Sequence, residues 1–178
     1  MQIEIRDDGK VRLFGYVNAV ERESRLLPQT MAEEAKRPFK EKIRVGTFKR
    51  ALENNPNVLF KFNHDRVLGG EEDGNLTLDE DAVGLRAEAI TDDPEVVDAA
   101  RQGKLRGWSF GFTKIDDEWK DEGNYDLRTL KEINLSEVSI LTMTPAYIAT
   151  TVETRAMDCE VMDTDTALKI IEILKRRI

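Results

Sequence analysis

Residues 107–112 read Gly-Trp-Ser-Phe-Gly-Phe, and this alternation of small and aromatic residues constrains the fold more than any other segment. Successive side chains of a β-strand point to opposite faces of the sheet, so a period of two indicates a strand. The three aromatic residues then share one face, and Ser109 shares the other face with two glycines. We expect a strand that anchors its aromatic face in a core and leaves room beside the Ser109 hydroxyl.

Several other segments have the composition of strands, with β-branched and aromatic residues bounded by turn residues. Strands are predicted over residues 11–20, 58–62, 105–115 and 127–141, and a hairpin over residues 76–78 and 84–90. Two charged stretches read instead as irregular: residues 21–42, with at most a short helix near residues 31–35, and an acidic loop over residues 116–126.

Two short helices are predicted between these strands. The first covers residues 47–54, with Thr47 as its cap. The second starts at Asp93 and Pro94, an acidic cap followed by a proline in the first turn, and ends at Gly103. The chain is therefore expected to be α+β and mainly β.

The end of the chain differs in character from the rest. Residues 151–178 contain a polar, acidic stretch and then Leu168, Ile171 and Leu174 at helical spacing, with basic residues at the end. We expect a domain over residues 1–150, followed over residues 151–178 by a polar linker and an amphipathic C-terminal helix. That helix either packs on the domain or binds a partner.

The charge and composition of the chain argue against several classes of function. A net charge of −8 argues against nonspecific nucleic-acid binding, which needs clustered Lys and Arg. No apolar stretch approaches the ~20 residues of a membrane span, and the polar N-terminus does not look like a secretory signal. The one cysteine, Cys159, offers no internal disulfide and no metal-ligand pair. We expect no metal, organic cofactor, nucleic acid or membrane, and a reducing cytoplasm.

His64 is the only histidine, and it follows the strand predicted over residues 58–62. If the chain uses an imidazole base in nucleophilic catalysis, His64 is that base. The alternative is a polar residue in a surface turn.

Ser109 is the candidate nucleophile, because the small residues beside it leave room for a substrate backbone to approach its hydroxyl. The alternative is a strand with small residues where another element packs closely. The aromatic alternation differs from a Gly-x-Ser-x-Gly nucleophile elbow, which is a turn from strand to helix.

Glu137 is the candidate acid. In a strand over residues 135–141 it shares a face with Leu135, Ser139 and Leu141, and a carboxylate on an apolar face needs a partner if buried. A histidine ring is one such partner, because the acid fixes its tautomer and stabilises the imidazolium. An Arg, a Lys or solvent is the alternative.

These segments together resemble the prohead (capsid maturation) proteases of tailed bacteriophages, of the HK97-like type. The resemblance rests on residues 63–65, 103–112 and 135–140, the turn at 145–147 and the pattern at 45–48, and it covers roughly residues 11–149. It implies a serine endopeptidase related in fold to herpesvirus assemblin, with a compact β-barrel and surrounding helices. It also implies that His64 and Ser109 are catalytic.

The third catalytic residue follows less directly from this resemblance. Assemblin-type enzymes use a second histidine, which this chain lacks, so an acid must take that role in a triad. Glu137 matches the acidic position of the phage motif best. Asp65 is the second choice, since a neighbour of His64 in a continuing strand points the other way, and Ser139 is expected to assist by hydrogen bonding.

The resemblance also implies a substrate and a location. The expected substrates are the major capsid protein precursor, its scaffolding region and the enzyme itself, cleaved inside the procapsid in the host cytoplasm. Self-association is expected by analogy with assemblin. The alternative function is a non-enzymatic scaffold or capsid-assembly module of the same fold.

Overall fold

The computed structural model describes residues 1–147, which form nine strands and two short α-helices. In chain order the elements are β1 (Gln2–Ile5), β2 (Val11–Ala19), a 3₁₀ helix (Gln29–Met31), β3 (Phe39–Ile43), α1 (Thr47–Asn54), β4 (Leu59–Phe62), β5 (Arg66–Gly70), β6 (Leu76–Glu80), β7 (Gly84–Thr91), α2 (Pro94–Arg101), β8 (Gly107–Asp121) and β9 (Asp126–Leu141).

The strands form two sheets. The first has the order β1-β2-β7-β6, with every neighbouring pair antiparallel. The second is built around β9, which pairs with β8 along one edge in a long antiparallel hairpin. On its other edge β9 pairs in parallel with β3 near its start and with β4 near its end, and β5 extends the sheet beyond β4. One strand therefore connects both parts of the second sheet.

The core packs against one face of this sheet, the face that carries the aromatic residues of the 107–112 motif. Trp108 is fully buried against Phe60 of β4, and Phe110 packs edge-on against Phe48 of α1 with ring centroids 5.3 Å apart. Burying large apolar side chains is the main stabilising contribution to such a fold. The predicted alternation is thus confirmed, because the aromatic face points into the core.

The helices begin and end near the predicted residues, although one cap differs. Asp93 caps α2 by accepting hydrogen bonds from two backbone amides, and Gly103 follows that helix with a φ of +63°. The Thr47 hydroxyl does not cap α1. It bonds instead to a backbone carbonyl of β9, that of Lys131, at 3.0 Å, so Thr47 ties α1 to the sheet.

The mainly β, α+β class is confirmed, but the predicted compact barrel is not. Strand pairing within residues 1–147 gives two separate hydrogen-bonded sheets and no closed ring. The predicted linker and C-terminal helix over residues 151–178 lie outside the described residues, so the domain boundary at residue 150 stays a prediction.

Two charged stretches predicted to be irregular contain strands. β3 lies at the end of the 21–42 stretch, where the buried Glu41 interrupts the apolar pattern of its inward face. β8 continues to Asp121 through most of the predicted acidic loop, because cations of β9 pair with its acids. Arg128 contacts Asp117 at 2.8 Å, and Lys131 contacts Asp116 at 2.9 Å. The high charge of these stretches was a misleading indicator of irregular structure, because the sequence does not show whether a charged side chain is paired or exposed to solvent.

Candidate active site

The candidate residues meet where β4 and β8 flank the end of β9. Ser139 of β9 lies opposite Ser109 of β8 and opposite Lys61 of β4. Glu137, two residues earlier on β9, lies opposite Gly111 of β8. Directly paired residues point to the same face of a sheet, so these five residues share the face opposite the aromatic core.

His64 reaches this face from the tight turn that joins β4 to β5. Asn63 and His64 both have left-handed backbone conformations, with φ of 52° and 65°, which are uncommon for residues other than glycine. The surrounding contacts hold the turn in place. The Asn63 amide donates to the Ile140 carbonyl at 2.9 Å, and its side-chain oxygen accepts from the Thr142 amide at 2.9 Å. Such strain held by neighbouring contacts is common at functional sites.

The His64 ring is hydrogen-bonded to Glu137. Nδ1 of His64 lies 2.6 Å from Oε1 of Glu137, and the other carboxylate oxygen, Oε2, accepts from the Ser139 hydroxyl at 3.0 Å. The Ser139 oxygen in turn accepts the backbone N–H of His64 at 3.2 Å. Ser139 therefore links the backbone of the histidine to the carboxylate that its ring contacts.

The charge state of Glu137 follows from these contacts. Burial by itself raises the pKa of Glu137, but hydrogen bonds from His64 and Ser139 and the charges of His64 and Lys61 outweigh it. The pKa therefore lies below its ordinary value of 4.5. The Lys61 ammonium lies 3.8 Å from Oε2. Because an ionised carboxylate only accepts hydrogen bonds, Nδ1 of His64 must be the protonated donor.

Exposure differs between the members of the pair. The Glu137 side chain is 9% exposed, whereas the His64 side chain is 40% exposed. Within residues 1–147, neither Nε2 of His64 nor the Ser109 hydroxyl makes a hydrogen bond. The serine–histidine contact needed for catalysis therefore stays a prediction, with both groups available for it.

Asp65, the second choice for the acid, lies on the solvent side of the turn. Its side chain is exposed, and its backbone N–H bonds to the Phe62 carbonyl at 3.1 Å. Across the described part of the chain its carboxylate makes no contact with the His64 ring. The geometry favours Glu137 over Asp65 as the partner of the histidine.

Two residues of the site were not predicted from the sequence. Lys61 contacts Glu137. The alternation of Phe60, Lys61 and Phe62 in the sequence could have placed Lys61 on the polar face of the strand. Asn63 fixes the turn through Thr142, and this contact had no sequence signal, because it joins residues that are distant in the chain.

Three other kinds of feature in residues 1–147 would bear on function: a surface cavity, a set of metal ligands and a membrane-spanning helix. A cavity of about 990 Å³ lies on the outer face of the first sheet, lined among others by Arg12, Phe14, Tyr16 and Arg86, and it includes none of the candidate residues. Residues 1–147 contain no group of His, Cys, Asp and Glu side chains arranged to hold a metal ion. They also contain no helix with the length and apolarity needed to span a membrane.

Comparisons with known proteins agree with the resemblance inferred from the motifs. The family model described as "Caudovirus prohead serine protease" matches residues 1–165. The "Prohead protease" of Escherichia phage T5 is 34% identical over 92 residues, which is 50% of this chain and 41% of that protein. The matched region thus spans less than half the length of this relative. No solved structure matches the chain.

Proposed function

The chain belongs to the caudovirus prohead serine protease family, and we propose that it is a serine endopeptidase that uses Ser109, His64 and Glu137. In this proposal Ser109 is the nucleophile, His64 the general base and acid, and Glu137 the group that orients the imidazole. Metal and organic cofactors have no part in the reaction.

The observation that supports this proposal most is the 2.6 Å contact between Nδ1 of His64 and Oε1 of Glu137. It puts the ring proton on Nδ1 and leaves the lone pair of Nε2 to accept a proton. Ser109 lies one strand away on the same face, opposite the serine that bonds the His64 backbone. Acyl transfer requires a base with this tautomer and a serine hydroxyl that it can reach, and the proposal assigns those roles to His64 and Ser109 on this face of the sheet.

The reaction proceeds in two halves. Nε2 of His64 removes the Ser109 proton as Oγ attacks the peptide carbonyl, and the imidazolium is stabilised by Glu137. His64 then protonates the leaving amine, which departs and leaves an acyl-enzyme on Ser109. In the second half, His64 deprotonates a water that attacks the ester, and the proton returns to Ser109 as the carboxylic acid leaves.

Ser139 has a supporting role. Its hydroxyl donates to Oε2 of Glu137 while its oxygen accepts the His64 amide. It therefore fixes both partners of the orienting hydrogen bond without touching the substrate. Asp65 remains the alternative acid if Glu137 proves dispensable.

The proposed substrates are the capsid precursor, its scaffolding region and the enzyme itself, cleaved within the procapsid in the host cytoplasm. Membership of the family supports a role in capsid maturation. Self-association of the enzyme is part of the proposal. So is the division into a protease domain over residues 1–150 and a linker with a C-terminal helix over residues 151–178.

The proposal is tested by co-expressing the full chain with its capsid precursor. Ser109→Ala and His64→Ala should each abolish cleavage while the protein stays folded. Ser136→Ala is the matched control, because its exposed hydroxyl bonds within residues 1–147 only to the Gly111 carbonyl. Normal processing by either active-site variant would overturn the assignment. A folded wild-type protein that binds the precursor without cleaving it would favour the assembly module.

A further inference from the structure

Gly111 lies directly opposite Glu137 across the β8–β9 ladder, and the space beside it is occupied. A Cβ atom at position 111 would lie 2.6 Å from Oε1 of Glu137, 2.7 Å from its Cγ and 3.1 Å from its Cδ. Non-bonded carbon atoms attract best at about 3.5–4.0 Å, so the carboxylate could not stay in place beside a side chain.

The backbone does not explain why this residue is glycine. Eight glycines of residues 1–147 have a positive φ that other residues rarely adopt, and Gly111 is not among them. It lies in β8 next to a register shift between Gly111 and Phe112, and its φ is not one that requires a glycine. What excludes a side chain is the Glu137 carboxylate, whose Oε1 is the oxygen that contacts the His64 ring.

We propose that Gly111 is a positioning residue: its missing side chain forms the slot that holds the Glu137 carboxylate against His64. This rests on the proposed function, because it assigns Glu137 the orienting role. It also changes the interpretation of the small face of the 107–112 strand. The sequence pattern predicted that this face admits a substrate backbone, whereas beside Gly111 the space is taken by the enzyme's own carboxylate.

An alanine at position 111 affects the carboxylate more than the fold. The atoms that it meets belong to the Glu137 side chain and not to backbone, and they include Cγ, so Glu137 must rotate about its Cα–Cβ bond to relieve the overlap while the strands keep their register. His64 then loses its partner at Nδ1. A displacement of about 1 Å in a catalytic group can cost about 100-fold in rate, so Gly111→Ala should lower kcat by at least about that factor, and by no more than Glu137→Ala does, with little change in KM.

A double-mutant cycle separates the slot from the substrate-access interpretation. Cleavage of a peptide substrate is measured for wild type, Gly111→Ala, Glu137→Ala and the double variant. If Gly111 acts through the carboxylate, Gly111→Ala has no further effect once the Glu137 side chain is gone. If Gly111 instead admits substrate, its effect is the same in both backgrounds, and the proposal is wrong.

Folding provides a second arm of the same experiment. If Gly111→Ala alone fails to fold, the double variant should fold, because removing the Glu137 side chain removes the overlap; failure of both would overturn the proposal. Gly123→Ala is the stability control, since it strains a residue with a φ of +80° in the turn between β8 and β9. It should lower Tm without lowering kcat.

A spectroscopic arm keeps this inference distinct from the proposed function. Labelling with ¹⁵N-histidine gives one imidazole spin system, because His64 is the only histidine. The wild type should show a protonated Nδ1 with a low-field proton, and Gly111→Ala should lose that proton as Glu137→Ala does. If the imidazole spectrum of Gly111→Ala is unchanged, the proposed positioning role of Gly111 is wrong, whether or not the variant cleaves its substrate. A wild type that shows the signal but cleaves nothing contradicts only the proposed function.

Discussion

Strand β9 takes part in two clusters of carboxylates and basic side chains, one near each end, and they differ in the basic residue that each contains. Near its start, the arginine cluster joins Arg128 to Glu41 at 3.1 Å and to Asp117 at 2.8 Å, and Tyr147 donates to Glu41 at 2.5 Å. Near its end, the histidine cluster joins Glu137 to His64 and Ser139.

The two clusters show that one strand supports both a buried guanidinium and a more exposed imidazole. Arginine carries a fixed positive charge in proteins, and the Arg128 side chain is only 8% exposed. Burial raises the pKa of Glu41, and the Arg128 charge opposes that rise. Burial raises the pKa of Tyr147 well above its ordinary value, so this residue stays a neutral donor. His64 is more exposed, and its Nε2 makes no hydrogen bond within residues 1–147. We expect the first cluster to stabilise the fold, and the proposed mechanism assigns the chemistry to the second.

The largest expected effect is on catalysis. Glu137→Gln should leave the protein folded and lower kcat by about 10⁴-fold, because an amide no longer fixes the tautomer or stabilises the imidazolium. The matched variant Glu41→Gln should lower stability but leave the activity of the folded fraction close to that of the wild type. Similar activity losses in both variants would erase the proposed distinction between the clusters.

Arg128→Ala should have the largest effect on stability. It leaves the buried Glu41 carboxylate without its cation, whereas Asp117 keeps Lys114 at 3.6 Å. Breaking a buried ion pair in this way costs about 3–5 kcal/mol. The free energy of unfolding in urea measures the loss. Arg44→Ala is the control, since its contact with Glu118 is exposed and should contribute less than about 1 kcal/mol. Equal losses would contradict the structural role of the arginine cluster.

Tyr147→Phe should have a smaller effect in the same cluster. Removing a hydrogen bond to a charged group costs about 1.5–3 kcal/mol, and the apolar ring still packs on Phe110. The comparison variant is Tyr125→Phe, whose hydroxyl contacts the exposed Glu23, and which should change stability little. Urea unfolding of the two variants side by side tests the difference, and an unchanged stability in Tyr147→Phe would remove this residue from the cluster.

The smallest expected effect concerns pH. The pKa of Glu137 in the folded protein lies below 4.5, so its stabilising contribution is fully present above pH 4.5 and is lost as pH falls through the folded pKa. Glu137→Gln should therefore lose less stability than the wild type on acidification below pH 4.5. Tm measured across that range tests this, and parallel curves for the two proteins would contradict the lowered pKa.

Local patterns in the sequence predicted part of the fold correctly. The alternation in residues 107–112, the cap at Asp93 and the 76–90 hairpin all depend on neighbours in sequence, and the structure has each of them. The hydrogen bond between Glu137 and a histidine ring was also predicted, since His64 is the only histidine.

Contacts between distant residues could not be predicted in the same way. β3 was missed because the cation that pairs with Glu41 lies 87 residues away, so the buried charge read as a solvated one. The role of Gly111 was missed because it depends on the register of β8 against β9, which places Glu137 opposite it. A register of this kind is set by the whole hairpin rather than by local composition.

The central claim is that Ser109 is a nucleophile activated by His64. The most direct test is labelling of the full chain with a fluorophosphonate, followed by mass spectrometry of its peptides. The chain has four serines, so the position of the adduct is decisive. The account predicts a single adduct on Ser109 and a labelling rate that falls by about 10³-fold or more in His64→Ala. An adduct on Ser24, Ser136 or Ser139, or an undiminished rate in His64→Ala, would contradict it.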